Sequence, residues 1–164
     1  MMKVKKRRQI ERKTDYVARK KMLSGDMPRI IIRKTNKYII VEYAESKNAQ
    51  DKIVFGGSSK SLTKYGWPES MSGSLKSLAA GYLTGYLIGK KIKGKKVIFD
   101  FGLIRTVPRS RIFAAAKGVI DAGVNVSVGK DSLPTEVRIK GEHMKNKIPF
   151  DKIKAAIDAD KGAK

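Results

Sequence analysis

Five consecutive residues, Arg33-Lys34-Thr35-Asn36-Lys37, present a guanidinium, two ammonium groups, a hydroxyl and a carboxamide. Such a donor-rich set suits the oxygens of a sugar–phosphate backbone, where charge and hydrogen bonding act together. Ser58, Ser59, Lys60 and Ser61 repeat the pairing of hydroxyl with ammonium. Arg105, Arg109 and Arg111, around Ser110, stand just ahead of a helical pattern. The free N–H groups of a helix start would add to their attraction for an anion. The chain opens on Lys3, Lys5, Lys6, Arg7, Arg8, Arg12 and Lys13. Over 164 residues, 37 Lys and Arg stand against 15 Asp and Glu, a net charge of +22. A folded chain with that field binds polyanions, since each phosphate neutralised releases counterions. Tyr65 and Trp67 follow the serine cluster. Both could stack on unpaired bases, and Trp67 could equally anchor a core beneath a long loop.

The groups that catalysis needs are scarce. The chain has no cysteine, which excludes disulfides, thiolate catalysis and cysteine-ligated metals. His143 is the only histidine and lies among Lys140 and Lys145. A phosphate contact or plain exposure suits it better than a triad. Gly89-Lys90-Lys91 lacks the upstream glycine and the Ser/Thr of a phosphate-binding loop. Gly56-Gly57-Ser58-Ser59 carries no dinucleotide fingerprint. Asp100 and Asp121 have no third acid placed beside them for two-metal nuclease chemistry. Nothing here asks for a cofactor, a metal or a small-molecule substrate. A membrane is not expected either. The apolar run Leu78 to Gly89 falls short of the roughly 20 residues a span needs, and no apolar stretch backs the N-terminal charges as in a secretory signal.

The elements that would carry these groups follow from periodicity. Residues 1–28 read as a basic arm poor in core residues, either a solvated tail or a segment that orders on RNA. A helix is possible from Thr14 to Met22, with Thr14 as its cap. Arg29 to Lys34 and Lys37 to Tyr43 are β-branched and aromatic runs around a Thr-Asn turn, and a third strand follows over 52–58. Ser72 to Lys91 carries one apolar stripe, from Leu75 through Leu87, with Ser72 or Ser74 as candidate cap. Gly81, Gly85 and Gly89 on it suggest close helix packing. Val97 to Phe101 reads as a buried strand. Pro108 and Ser110 open a second helix that Gly123 ends, Val124 to Val128 forms a last strand, and Ile148 onward introduces a short C-terminal helix.

These elements predict an α/β fold: a mixed five-stranded sheet of ribonuclease H-like topology, in the order β-β-β-α-β-α-β, with crossovers of the usual right hand. The expected organisation is a basic arm over 1–28, a core over 29–128, and a loop with the C-terminal helix over 129–164. A general nucleic-acid-binding factor or a metal-dependent nuclease is the alternative such a fold raises.

Several segments together resemble one family. They are Thr14-Asp15-Tyr16 with Ala18-Arg19-Lys20, Arg33 to Tyr38, Ser61-Leu62 with Lys64-Tyr65-Gly66-Trp67, Ala79-Ala80 with Tyr82 to Gly85, and Phe113 to Ala115 with Lys117-Gly118 and Asp121 to Gly123. In that order, from about residue 4 to about residue 145, they are similar to the 5S-rRNA-binding ribosomal proteins numbered eighteen in the universal large-subunit naming. The resemblance implies a structural, non-enzymatic component of the large subunit, in the cytoplasm. Its partners would be 5S rRNA, the large-subunit rRNA and neighbouring proteins of the central protuberance. It adds Tyr16, Arg19 and Lys20 to the expected RNA-binding residues. It also implies an archaeal type, since the sequence stops at Lys164 without the long basic extension of eukaryotic members.

Overall fold

The computed structural model describes residues 4–48, 50–144 and 147–160. At its centre β1 (Arg29–Lys34), β2 (Ile39–Lys47), β3 (Gln50–Ser58) and β4 (Ile98–Asp100) form a mixed sheet in the order β3-β2-β1-β4. The first three strands form an antiparallel meander, and β4 lies parallel to β1 with Asp100 opposite Ile31. The β1–β2 turn needs no glycine because Thr35 closes it. Its N–H donates to the Tyr38 carbonyl at 2.8 Å, and its Oγ1 accepts from the Tyr38 N–H at 2.9 Å.

Six α-helices accompany the sheet among the described residues: α1 (Arg7–Ile10), α2 (Tyr16–Leu23), α3 (Leu78–Lys91), α4 (Arg111–Asp121), α5 (Glu136–Lys140) and α6 (Phe150–Ala159). Strand alternation sends Ile30 and Ile32 to one face of the sheet, where they join Val41 and Tyr43 and pack against Ile112, Phe113 and Val119 of α4. A second apolar cluster joins Leu83 of α3 to Leu62, Trp67 and the α6 residues Ile153 and Ile157. Lys90 holds the end of α6, its Nζ donating to the Ile157 carbonyl at 2.9 Å. α3 and α4 meet backbone to backbone. A Cβ on Gly85 would stand 2.1 Å from the Ala115 carbonyl oxygen, and one on Gly118 would stand 2.1 Å from that of Tyr82. The glycine stripe of α3 therefore serves helix contact.

Several expectations are corrected. The sheet has four strands, not five, and the ribonuclease H-like order β-β-β-α-β-α-β is not what the chain forms. The segment 124–128 pairs only once, as an isolated parallel bridge between Lys96 and Asn125. The reason lies at the end of β4. The Asp100 carboxylate accepts from the Gly102 N–H at 2.8 Å, and Gly102 takes a φ of +63°. The chain therefore turns away after Asp100, and a gap of about 420 Å³ separates β4 from Val126 and Val128. The arm helix is capped by Asp15, which accepts from the N–H groups of Val17 and Ala18, and not by Thr14, whose Oγ1 accepts from Arg8 Nε at 3.0 Å. The long helix starts at Leu78, capped by Ser77. Ser72 and Ser74 belong to a preceding 3₁₀ turn over Glu69–Ser74.

Candidate nucleic-acid interface

The basic residues expected from the sequence gather at two ends of β1. At the Arg29 end the arm is tied down by one ion pair, Arg19 Nη2 to Asp51 Oδ2 at 2.7 Å. Asp51 also binds Arg29 of the sheet and accepts from Ser46 Oγ at 2.5 Å. Burial pushes the Asp51 carboxyl up, but hydrogen bonds from Ser46, Arg29 and Arg19 outweigh it and hold the group below the usual carboxylate range. Beyond this anchor Lys5, Lys6, Arg7, Arg8, Arg12, Lys13 and Lys20 are exposed. Lys6 Nζ lies 4.6 Å from the centroid of the Tyr16 ring. Lys3 lies outside the described residues.

Between the two ends, a cluster of buried charge fixes the face of the sheet opposite α4. Arg29 is 1% exposed and reaches Asp100 Oδ2 at 3.4 Å as well as Asp51. Asp100 also receives Arg33, whose Nη2 lies 2.9 Å from Oδ1 and whose Nη1 lies 2.6 Å from the carbonyl oxygen. Asp100 is thus committed to two arginines. Among the described residues no group of three or more His, Cys, Asp or Glu side chains could hold a metal ion.

At the Lys34 end the hairpin tip presents Lys34, Thr35, Asn36 and Lys37, all exposed. Lys60 is exposed nearby, whereas Ser59 is fully buried and accepts from the Ile39 N–H at 3.1 Å, so its hydroxyl serves the fold. Lys34 also lines a cleft of about 560 Å³ with Arg105, Arg109, Arg111 and Arg138. The start of α4 opens into it. Ser110 stands at the N-cap, yet its Oγ is buried and makes no hydrogen bond. Arg138, carried by α5, was not singled out by the sequence. Only the fold brings it beside Arg111, and no local pattern marks it.

The two aromatics next to the serine cluster are structural. Trp67 is 2% exposed and donates from Nε1 to the Met71 carbonyl at 3.1 Å. Tyr65 donates to Asp160 Oδ2 at 2.5 Å. That bond, and burial after it, push its hydroxyl up to about 12. The buried Trp67 ring is not free to stack on a base in this arrangement. No helix among the described residues is long and apolar enough to cross a membrane.

Comparison with known proteins agrees with the chemistry of this surface. Residues 1–97 match the family model described as ribosomal large subunit proteins 60S L5 and 50S L18. The large ribosomal subunit protein uL18 of Korarchaeum cryptofilum is 44% identical over 145 residues, covering 87% of this chain and 72% of the relative. The uL18 of Methanoregula boonei is 40% identical over 141 residues, covering 84% of this chain and 79% of the relative. The uL18 of Methanothermobacter thermautotrophicus is 40% identical over 141 residues, covering 84% and 71%.

Proposed function

This chain belongs to the archaeal-type uL18 family of large ribosomal subunit proteins, and on that footing we propose that it binds 5S rRNA and helps to anchor it to the large rRNA in the central protuberance. It is a structural ribosomal protein and not an enzyme, at work in the cytoplasm as part of the subunit. The observation that carries the reading is the extent of the similarity, which at 44% identity runs through 87% of the chain, with the arm inside the 1–97 segment that the family model matches.

The contact residues proposed are the exposed cations of the arm (Lys5, Lys6, Arg7, Arg8, Arg12, Lys13 and Lys20), with Lys3 ahead of them. Tyr16 joins them beside Lys6, and Lys34, Asn36, Lys37 and Lys60 act from the hairpin end with Arg109 and Arg111. Four others have roles inside the protein, among them Ser59, which is buried and accepts from the Ile39 N–H. Arg33 and Arg19 are engaged by carboxylates, so their contribution to RNA would be to hold the surface in shape and to add charge. Thr35 spends its hydroxyl on the turn.

Selective retention from total ribosomal RNA tests this function. The immobilised chain is expected to retain 5S rRNA at one copy per protein and to leave transfer RNA behind. Retention of RNAs in proportion to their abundance would reduce the account to non-specific attraction.

A further inference from the structure

We infer that the cleft between the hairpin end and α4 is a second RNA-backbone site, separate from the arm and built to seat consecutive phosphates. The inference rests on the rRNA-binding reading above and deepens it.

Its basis is a contrast among the cations. Arg19, Arg29, Arg33 and Lys90 each have a carboxylate partner. Lys34, Arg105, Arg109, Arg111 and Arg138 have none among the described residues, yet they line one cleft that no acid lines. Five like charges gathered without counter-charge repel one another, and a bound polyanion relieves that repulsion. Four of the five are arginines, whose planar forks bind phosphate oxygens bidentately, as lysine cannot. α4 adds N–H groups left without helical partners at its start, aimed at the same space. The chain accepts a cost to make this shape. Arg109 sits at a φ of +59°, in the left-handed region that a side chain disfavours, and its N–H is fixed to the Ser132 carbonyl at 2.8 Å.

The site is separate from the arm by the length of a strand. The arm is anchored through Asp51 at Arg29, and the cleft begins at Lys34. Those positions are five residues apart on β1, about 16 Å at ~3.3 Å per residue. RNA strands held at the two ends would therefore neutralise different phosphates, and loss of one set leaves the other in place.

The test uses the full chain and the double variant Arg105→Gln, Arg138→Gln, with 5S rRNA and a large-subunit rRNA transcript as separate probes. At about 0.7–0.9 per phosphate, loss of two contacts lowers the slope of log K against log salt by about 1.5. Between 50 and 200 mM salt that is about an eightfold smaller loss of affinity. A smaller slope on 5S rRNA assigns the cleft to that molecule, and a smaller slope on the transcript alone assigns it to the large rRNA. Unchanged slopes on both overturn the proposal. The variant should melt at or above the wild-type temperature, because repulsion is removed and neither side chain makes an ion pair or hydrogen bond among the described residues. A clear fall in melting temperature would make the two arginines structural and would also overturn it. The family reading fails on a different result, namely wild-type protein that prefers neither RNA to an unrelated structured RNA of equal length.

Discussion

Arg33 and Asp100 lock β1 to β4 from the side of the sheet opposite α4, with Arg33 Nη2 2.9 Å from Asp100 Oδ1 and Nη1 2.6 Å from the Asp100 carbonyl oxygen. The contact explains why a polar residue ends a short edge strand. One carboxylate joins two arginines and also caps the turn at Gly102. Arg33→Ala removes two charge-assisted bonds and is expected to cost about 1–3 kcal/mol of stability, measured by denaturant unfolding. RNA binding should weaken only in so far as the sheet end loosens. An unchanged unfolding midpoint would show that Asp100 needs only Arg29.

Asp51 makes the anchoring of the arm sensitive to acid. Its carboxyl is held below the usual range in the folded protein, so the folded state binds fewer protons than the unfolded one. Its stabilisation is fully present above the unfolded carboxylate value of about 3.9 and is lost as pH falls through the lower folded value. Asp51→Asn should therefore reduce stability at pH 7 and flatten the acid limb of a stability–pH curve. Amide exchange in residues 16–23 should rise in the same variant. Parallel curves for the two proteins would remove Asp51 from the account.

At the other extreme of pH, Tyr65 behaves oppositely. Its hydroxyl is raised to about 12 by the bond to Asp160 and by burial. The folded state therefore holds a proton that the unfolded chain releases near 10. The associated stability is complete below 10 and disappears as pH climbs through 12. Ultraviolet titration of the phenolate should show one tyrosine ionising near 12 that is absent from Tyr65→Phe. If the component lost in Tyr65→Phe instead titrates near the ordinary value of about 10, the contact between Tyr65 and the end of α6 does not form in solution.

Gly85→Ala tests the packing of α3 on α4. The added methyl would meet the Ala115 carbonyl at 2.1 Å, so one helix must shift. In an open helix the same change would be stabilising by about 1 kcal/mol. Here a destabilisation of about 1–3 kcal/mol or more is expected, as a lower melting temperature. A gain in stability would mean the helices stand further apart than the structure gives.

What the sequence could reveal depended on how local the cause was. The three meander strands, the two long helices and the glycine stripe were legible because their signals lie within each segment: runs of isoleucine and valine, a repeat of three and four, small residues four apart. The cap of α2 was missed because Thr14 and Asp15 are adjacent and equally suited to the task, and only the geometry decides between them. The fifth strand was expected because Val124, Val126 and Val128 alternate. Its fate is set by the turn after Asp100, more than twenty residues upstream. Arg29 opens the first strand, and nothing local marks it as buried. Its burial depends on carboxylates 22 and 71 residues away in sequence. The same distance hid Arg138, which joins the cleft from α5. For Trp67 the neighbours leave stacking and a core anchor equally open, and burial decides for the core, while the Ser59 hydroxyl, placed by its neighbours among RNA-binding groups, meets a main-chain N–H of the fold.

The most direct test of the central claim is the affinity of the whole chain for 5S rRNA measured across a range of salt, beside an unrelated structured RNA of equal length. If about six phosphates are neutralised, log K should fall against log salt with a slope of roughly −4 to −5, and 5S rRNA should bind more tightly than the control at every salt. An affinity independent of salt, or equal affinity for the two RNAs, would contradict the account.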